Sequence, residues 1–181
     1  MLTLDRRHVL EGVAALIGLA ALPIEAMAAA KGKTHFLDKP TAALVTAVAD
    51  TLIPRTDTPG AVQVGVPVRF DALMRDWASP AHRTEHLAVL AAIDSSAKAK
   101  TGRPFALLAP AARKSVLGAY DAAHLASDAT YARLKALLVS LYYLSEAGAT
   151  VELRYEHAPG AWIASIPLTP QTRAWAGANV G

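Results

Sequence analysis

The sequence predicts an all-α fold: a single helical domain of about five helices, followed by a loop-rich C-terminal tail. Three observations carry that prediction. Apolar residues recur at three- and four-residue spacing in five separate stretches. Helix-start signals stand ahead of three of them. Strand-like alternation is confined to "ATVELRY", residues 149–155, where it is ambiguous. Composition agrees, because alanine dominates and aromatic residues make up only 6% of the chain. With 181 residues, 53% of them hydrophobic, the chain can bury one core and is too short for two.

The first helix lies in "DKPTAALVTAVADTLIP", where Ala43, Leu44, Ala47, Val48 and Leu52 form one stripe and Pro54 stops it. "RTDTPGAVQVGVP", Arg55 to Pro67, is rich in turn formers and reads as loop, with Gly60 and Gly65 as loop glycines. Helical spacing resumes through Phe70, Leu73, Met74 and Trp77. Ser79-Pro80 pairs an N-cap with a proline at the first helical position, opening a helix to about Lys100 that Gly102 ends. After the connector "TGRPFALLAP", Ala109-Pro110 opens a helix through Val116, Leu117 and Tyr120 to about Leu125. Asp128 caps the last, from about Ala129 to Ser145, carrying Leu134, Leu137, Leu138, Leu141 and Leu144; Gly148 is read as its stop. Three prolines mark the tail from Thr150 as irregular.

Composition also excludes several classes of function. Without cysteine there are no disulfides, thiolate zinc sites, Cys-ligated clusters or covalent haem attachment. The net charge of +3 is dispersed among acids with no Lys/Arg block, which argues against a nucleic-acid partner.

The leader "MLTLDRRHVLEGVAALIGLAALPIEAMAAAKGK" has the layout of a cleavable export signal over residues 1–28. Arg6-Arg7 precede an apolar run from Gly12 to Leu22, and "AMA" supplies small residues at Ala26 and Ala28. The run is about half of the roughly 20 residues a spanning helix needs. Glu11 and Glu25 bracket it with charge, so a permanent anchor is the weaker reading. Arg6-Arg7 followed by Leu10 resembles the twin-arginine signal, although Asp5, Val9 and Glu11 depart from its consensus. An ordinary export signal containing two arginines is the alternative. The twin-arginine route carries folded proteins, often with cofactor bound, and this chain shows no cofactor motif. Such a signal would then serve a folded partner travelling with it. Residues 29–181 form the mature helical domain.

His82-Arg83-Thr84-Glu85-His86 reads H-x-x-E-H, the inverted zincin pattern, with histidines four apart on one helix face. A third ligand would have to come from Glu146, Glu152 or Glu156. Solvated His and Glu are ordinary in the first turns of a helix, so no metal ligand is assigned. A free-standing periplasmic metalloenzyme using this segment is the rival function. His124 and His157 are lone histidines, read as surface or packing residues. No G-x-G-x-x-G, P-loop or G-x-S-x-G occurs, and no catalytic or cofactor-binding residue is assigned. Tyr142, Tyr143, Ser145 and Glu146 close the last helix. Tyr142 shares a face with Ser145 and Glu146, which suits either internal packing or an interface.

Two stretches, "ADTLIPRTDTPGAVQVGVP" (Ala49 to Pro67) and "YYLSEAGATVELRYEHAPGAW" (Tyr142 to Trp162), resemble the two signature regions of the gluconate 2-dehydrogenase subunit 3 family. The resemblance covers most of the mature chain in order. It implies a cofactor-free, non-catalytic small subunit of a periplasmic, membrane-associated dehydrogenase acting on a sugar, sugar acid or polyol. The implied partner is a flavoprotein of the glucose-methanol-choline oxidoreductase family, carrying FAD. A multihaem c-type cytochrome subunit with haem c often accompanies it, so membrane contact is indirect. The small subunit carries the export signal for the complex. On this resemblance Tyr142, Tyr143, Ser145, Glu146 and Trp162 become candidate partner-interface residues.

Overall fold

A computed structural model describes residues 35–155, 160, 165–170 and 172–175. The described residues form five α-helices: α1 (Lys39–Leu52), α2 (Val66–Asp76), α3 (Pro80–Thr101), α4 (Pro110–His124) and α5 (Ala129–Tyr143). A 3-10 turn, Phe105–Leu107, lies between α3 and α4, and a wide π turn, Gly148–Glu152, follows α5. Among the described residues the only extended pairing is a single bridge between Arg154 and Trp175.

Local chemistry explains the helix boundaries. Asp38 accepts the Thr41 N–H at 2.9 Å, and Ser79 accepts the His82 N–H at 3.2 Å. Asp128 Oδ1 accepts the N–H groups of Thr130 and Tyr131, at 2.9 and 3.1 Å. Each cap satisfies donors that the first turn leaves orphaned. α1 stops at Leu52 because Ile53 precedes a proline and is pushed out of the helical region. Gly102, at φ 71°, ends α3 while its N–H reaches the Lys98 carbonyl at 2.8 Å.

Three details depart from the sequence expectation. α2 begins at Val66, inside the stretch read as loop, because Gly65 (φ 77°) caps it and Pro67 fits the first turn. Trp77 and Leu144, read as apolar-stripe positions, lie just beyond their helices and are exposed. Gly148 is no left-handed stop, since α5 has already ended at Tyr143.

The core runs continuously through α1 (Val45, Val48), α2 (Phe70, Met74), α3 (Leu90, Ile93), Phe105, α4 (Leu117) and α5 (Tyr131, Leu134, Leu138, Tyr142). α1 packs on α2, α3, α4 and the 3-10 turn, while α5 packs on α2 and α3. Phe105 is seated by its N–H, which donates to Asp94 at 2.8 Å. At the periphery Arg113 reaches Asp50, Arg133 reaches Glu85, and Lys135 reaches Asp121. Such partly exposed pairs orient helices more than they stabilise them.

Candidate functional site

The fold brings the loop after α1 against the end of α5. The loop is pinned by its own backbone: Ala61 N–H donates to the Ile53 carbonyl at 2.9 Å, and Thr56 N–H to that of Thr58 at 3.1 Å. Gly60 closes it. A Cβ there would lie 2.5 Å from the Arg55 nitrogen and 2.8 Å from the Pro54 carbonyl carbon, so only glycine permits the approach.

Across the seam, the buried Thr58 hydroxyl donates to Glu152 Oε2 at 2.7 Å. Tyr142 lays its buried ring in the core and donates its hydroxyl to the Pro59 carbonyl at 2.9 Å. Tyr143 stands edge-on to that ring, with centroids 5.2 Å apart and planes at 78°. Ser145, also buried, donates to the Tyr142 carbonyl and accepts the Gly148 N–H at 3.0 Å. Gly148 presses on the same carbonyl, leaving no room for a side chain.

Burial holds the Tyr142 phenol above its ordinary pKa. Asp57, on the exposed rim of the loop, is held below the usual carboxylate range, first by the Thr56 hydroxyl. The hydroxyls of Thr58, Tyr142 and Ser145 each donate to an internal acceptor, and Ser145 bonds to backbone on both sides. The arrangement staples two distant segments of the chain together.

The expected interface residues therefore divide. Tyr142 and Ser145 belong to the interior, whereas Tyr143 and Glu146 are exposed. Trp162 lies outside the described residues, as do the export-signal residues Arg6, Arg7, Leu10, Ala26 and Ala28. Sequence reading passed over Thr58 and Glu152 as a pair, since 94 residues separate them. It also passed over the buried Asp71, which accepts the Leu37 N–H at 2.7 Å and faces His35 Nδ1 at 3.2 Å.

In the H-x-x-E-H segment the rings of His82 and His86 lie 6.4 Å apart, but the other residues are engaged elsewhere. His86 is buried against Phe70, with ring centroids 6.2 Å apart, and Glu85 is engaged by Arg133 at 2.9 Å. Among the described residues no three His, Cys, Asp or Glu side chains are grouped as a metal site requires. His124 packs on Tyr120 at 4.2 Å, while His157 and Glu156 lie outside the described residues.

Burial, aided by nearby His82, lowers the His86 pKa from 6.5. The unfolded chain then binds a proton that the folded chain resists, so stability is expected to fall as pH drops below about 6.5. Urea unfolding at pH 7, 6 and 5 should show this decline in the native chain and a shallower one in His86→Leu. Parallel curves would assign the decline to other groups.

Large exposed apolar residues concentrate at the seam's end of the chain. Of the eleven among the described residues, seven fall between Tyr143 and Trp175: Tyr143, Leu144, Val151, Tyr155, Ile166, Leu168 and Trp175.

Comparison with known proteins adds one finding. A family model described as Gluconate 2-dehydrogenase subunit 3 matches residues 39–160, about two thirds of the chain. That span contains the whole first segment of the seam and nearly all of the second. No curated protein and no solved structure matches.

Proposed function

The chain belongs to the gluconate 2-dehydrogenase subunit 3 family, and from that premise we propose that it is the non-catalytic small subunit of a periplasmic, membrane-associated dehydrogenase. The catalytic partner is an FAD-carrying flavoprotein of the glucose-methanol-choline type that oxidises a sugar, sugar acid or polyol. A cytochrome subunit with haem c would take the electrons onward. The small subunit stabilises the flavoprotein and supplies the twin-arginine signal, Arg6 and Arg7, for export of both.

The observation that carries this reading is the match across the two stapled segments. What the family description names as a dehydrogenase subunit is here a helical body whose site is closed by internal hydrogen bonds, with exposed apolar residues beside it. A body built in this way presents a surface to a partner and needs no cofactor of its own for that role.

Co-expression with the flavoprotein tests the reading. Changing Arg6 and Arg7 to lysine should leave flavoprotein and small subunit together in the cytoplasm, with periplasmic dehydrogenase activity reduced at least tenfold. Normal periplasmic activity in that variant would sink the escort role.

A further inference from the structure

Residues 172–175 lie back across the seam. The preceding turn is set by Thr172, whose Oγ1 accepts the Thr169 N–H at 2.8 Å and whose N–H reaches the Thr169 carbonyl at 3.0 Å. This turn delivers Arg173 to the rim. Its Nη2 stands 3.5 Å from Asp57 Oδ2, and its Nη1 reaches the Glu152 carbonyl at 3.3 Å and Glu152 Oε2 at 3.9 Å. One residue on, the Ala174 carbonyl accepts the Arg154 N–H at 2.8 Å. The Arg154 guanidinium lies 4.2 Å over the Trp175 ring.

These attachments differ in kind from those beneath them. The seam itself is closed by buried groups: Tyr142 on Pro59, Thr58 on Glu152, and Ser145 on Gly148. Among the described residues the strap is held by long, solvent-exposed charge contacts, the Arg173 hydrogen bond to the Glu152 carbonyl, the main-chain hydrogen bond from Arg154 to Ala174 and the exposed Arg154–Trp175 ring contact. Exposed ion pairs contribute little, and segments held mainly by them open locally well before the global fold does. Opening removes Arg173 from two carboxylates at once and uncovers the rim between the two family segments. Asp57 then faces outward without its cation, and Glu152 keeps only the Thr58 hydroxyl, leaving a rim that fits a basic group from another chain.

We infer that residues 172–175 form a detachable strap, which the dehydrogenase flavoprotein displaces on binding, a basic segment of that partner taking the place of Arg173 beside Asp57 and Glu152. The identity of the partner rests on the function proposed above.

Two measurements decide it. In the isolated subunit, Arg173→Gln should speed hydrogen exchange at the Arg154 amide several-fold while amides within α5 keep their rates. Equal acceleration at both would make the strap part of the cooperative fold and overturn the inference. Because the chain lacks cysteine, Arg154→Cys with Trp175→Cys introduces a single thiol pair at bridged positions, within the backbone separation a disulfide spans. The oxidised variant should bind the co-expressed flavoprotein at least tenfold more weakly than the same variant after reduction. Equal binding by both forms refutes displacement. Asp57→Asn should weaken binding several-fold, and unchanged binding removes the basic segment from the proposal. If the wild-type chain binds no flavoprotein, the accessory-subunit reading fails instead, and the exchange result still decides whether the strap detaches.

Discussion

Gly148→Ala is expected to lower the unfolding free energy by roughly 3 kcal/mol or more, and the melting temperature by on the order of 10 °C. A Cβ at this position would collide with the Tyr142 carbonyl oxygen and lie 2.9 Å from its carbon. That carbonyl cannot retreat, because it already accepts the Ser145 hydroxyl and the Ser145 N–H. Gly148 cannot move outward either, since its own N–H is held by Ser145 Oγ and its carbonyl accepts the Leu153 N–H of the π turn. Relief therefore requires the turn to shift, carrying Glu152 away from Thr58 and leaving that buried hydroxyl with only its longer contact to Thr56. Gly118 serves as the control. It sits in α4 with nothing within 4 Å of an added Cβ, so Gly118→Ala should raise stability by about 0.5–1 kcal/mol. Thermal unfolding of both variants checks the pair. A Gly148→Ala chain that melts with the native one would show that the π turn yields freely and that the seam is loose.

Gly148 also shows where sequence reading stops. A glycine shortly after an apolar helix looks like a left-handed stop, and the fold class survives that misreading because the helix does end nearby. What sets the residue is a backbone approach within a π turn, and nothing in residue order encodes the position of the carbonyl. The helices themselves were legible because period and caps are local. Asp128, Ser79 and Gly102 act within four residues of where they stand, and the stripe of Leu134, Leu138 and Leu141 needs only helical spacing. Pro67 misled for the opposite reason. Proline ends or begins a helix depending on whether it falls in the last turn or the first, and Gly65 decides that. The Thr58–Glu152 contact and the burial of His86 are tertiary, and no spacing rule reaches them. Thr58 and Glu152 do fall in the two segments that carry the family resemblance, but the resemblance names no pairing between them.

Tyr142→Ala is expected to cost about 4 kcal/mol, and Tyr142→Phe about 1–2 kcal/mol. The alanine variant empties a site that is 2% exposed in the native chain and deprives Tyr143 of the ring it packs against. The phenylalanine variant keeps the ring and its neighbours but strips the Pro59 carbonyl of its donor. The difference between the two isolates packing from the hydroxyl, and midpoints of urea unfolding at constant m measure it. Tyr143→Ala provides the functional contrast. Its side chain is 39% exposed, so the change should cost at most about 1 kcal/mol while weakening the complex with the flavoprotein. On the proposed function Tyr142 would act on the partner only through the shape of the seam, whereas Tyr143 would meet it directly. If Tyr142→Phe costs no more than an exposed Tyr→Phe change, water must be reaching the Pro59 carbonyl. The two family segments would then be held together by apolar packing, with the hydrogen-bonded staple contributing little.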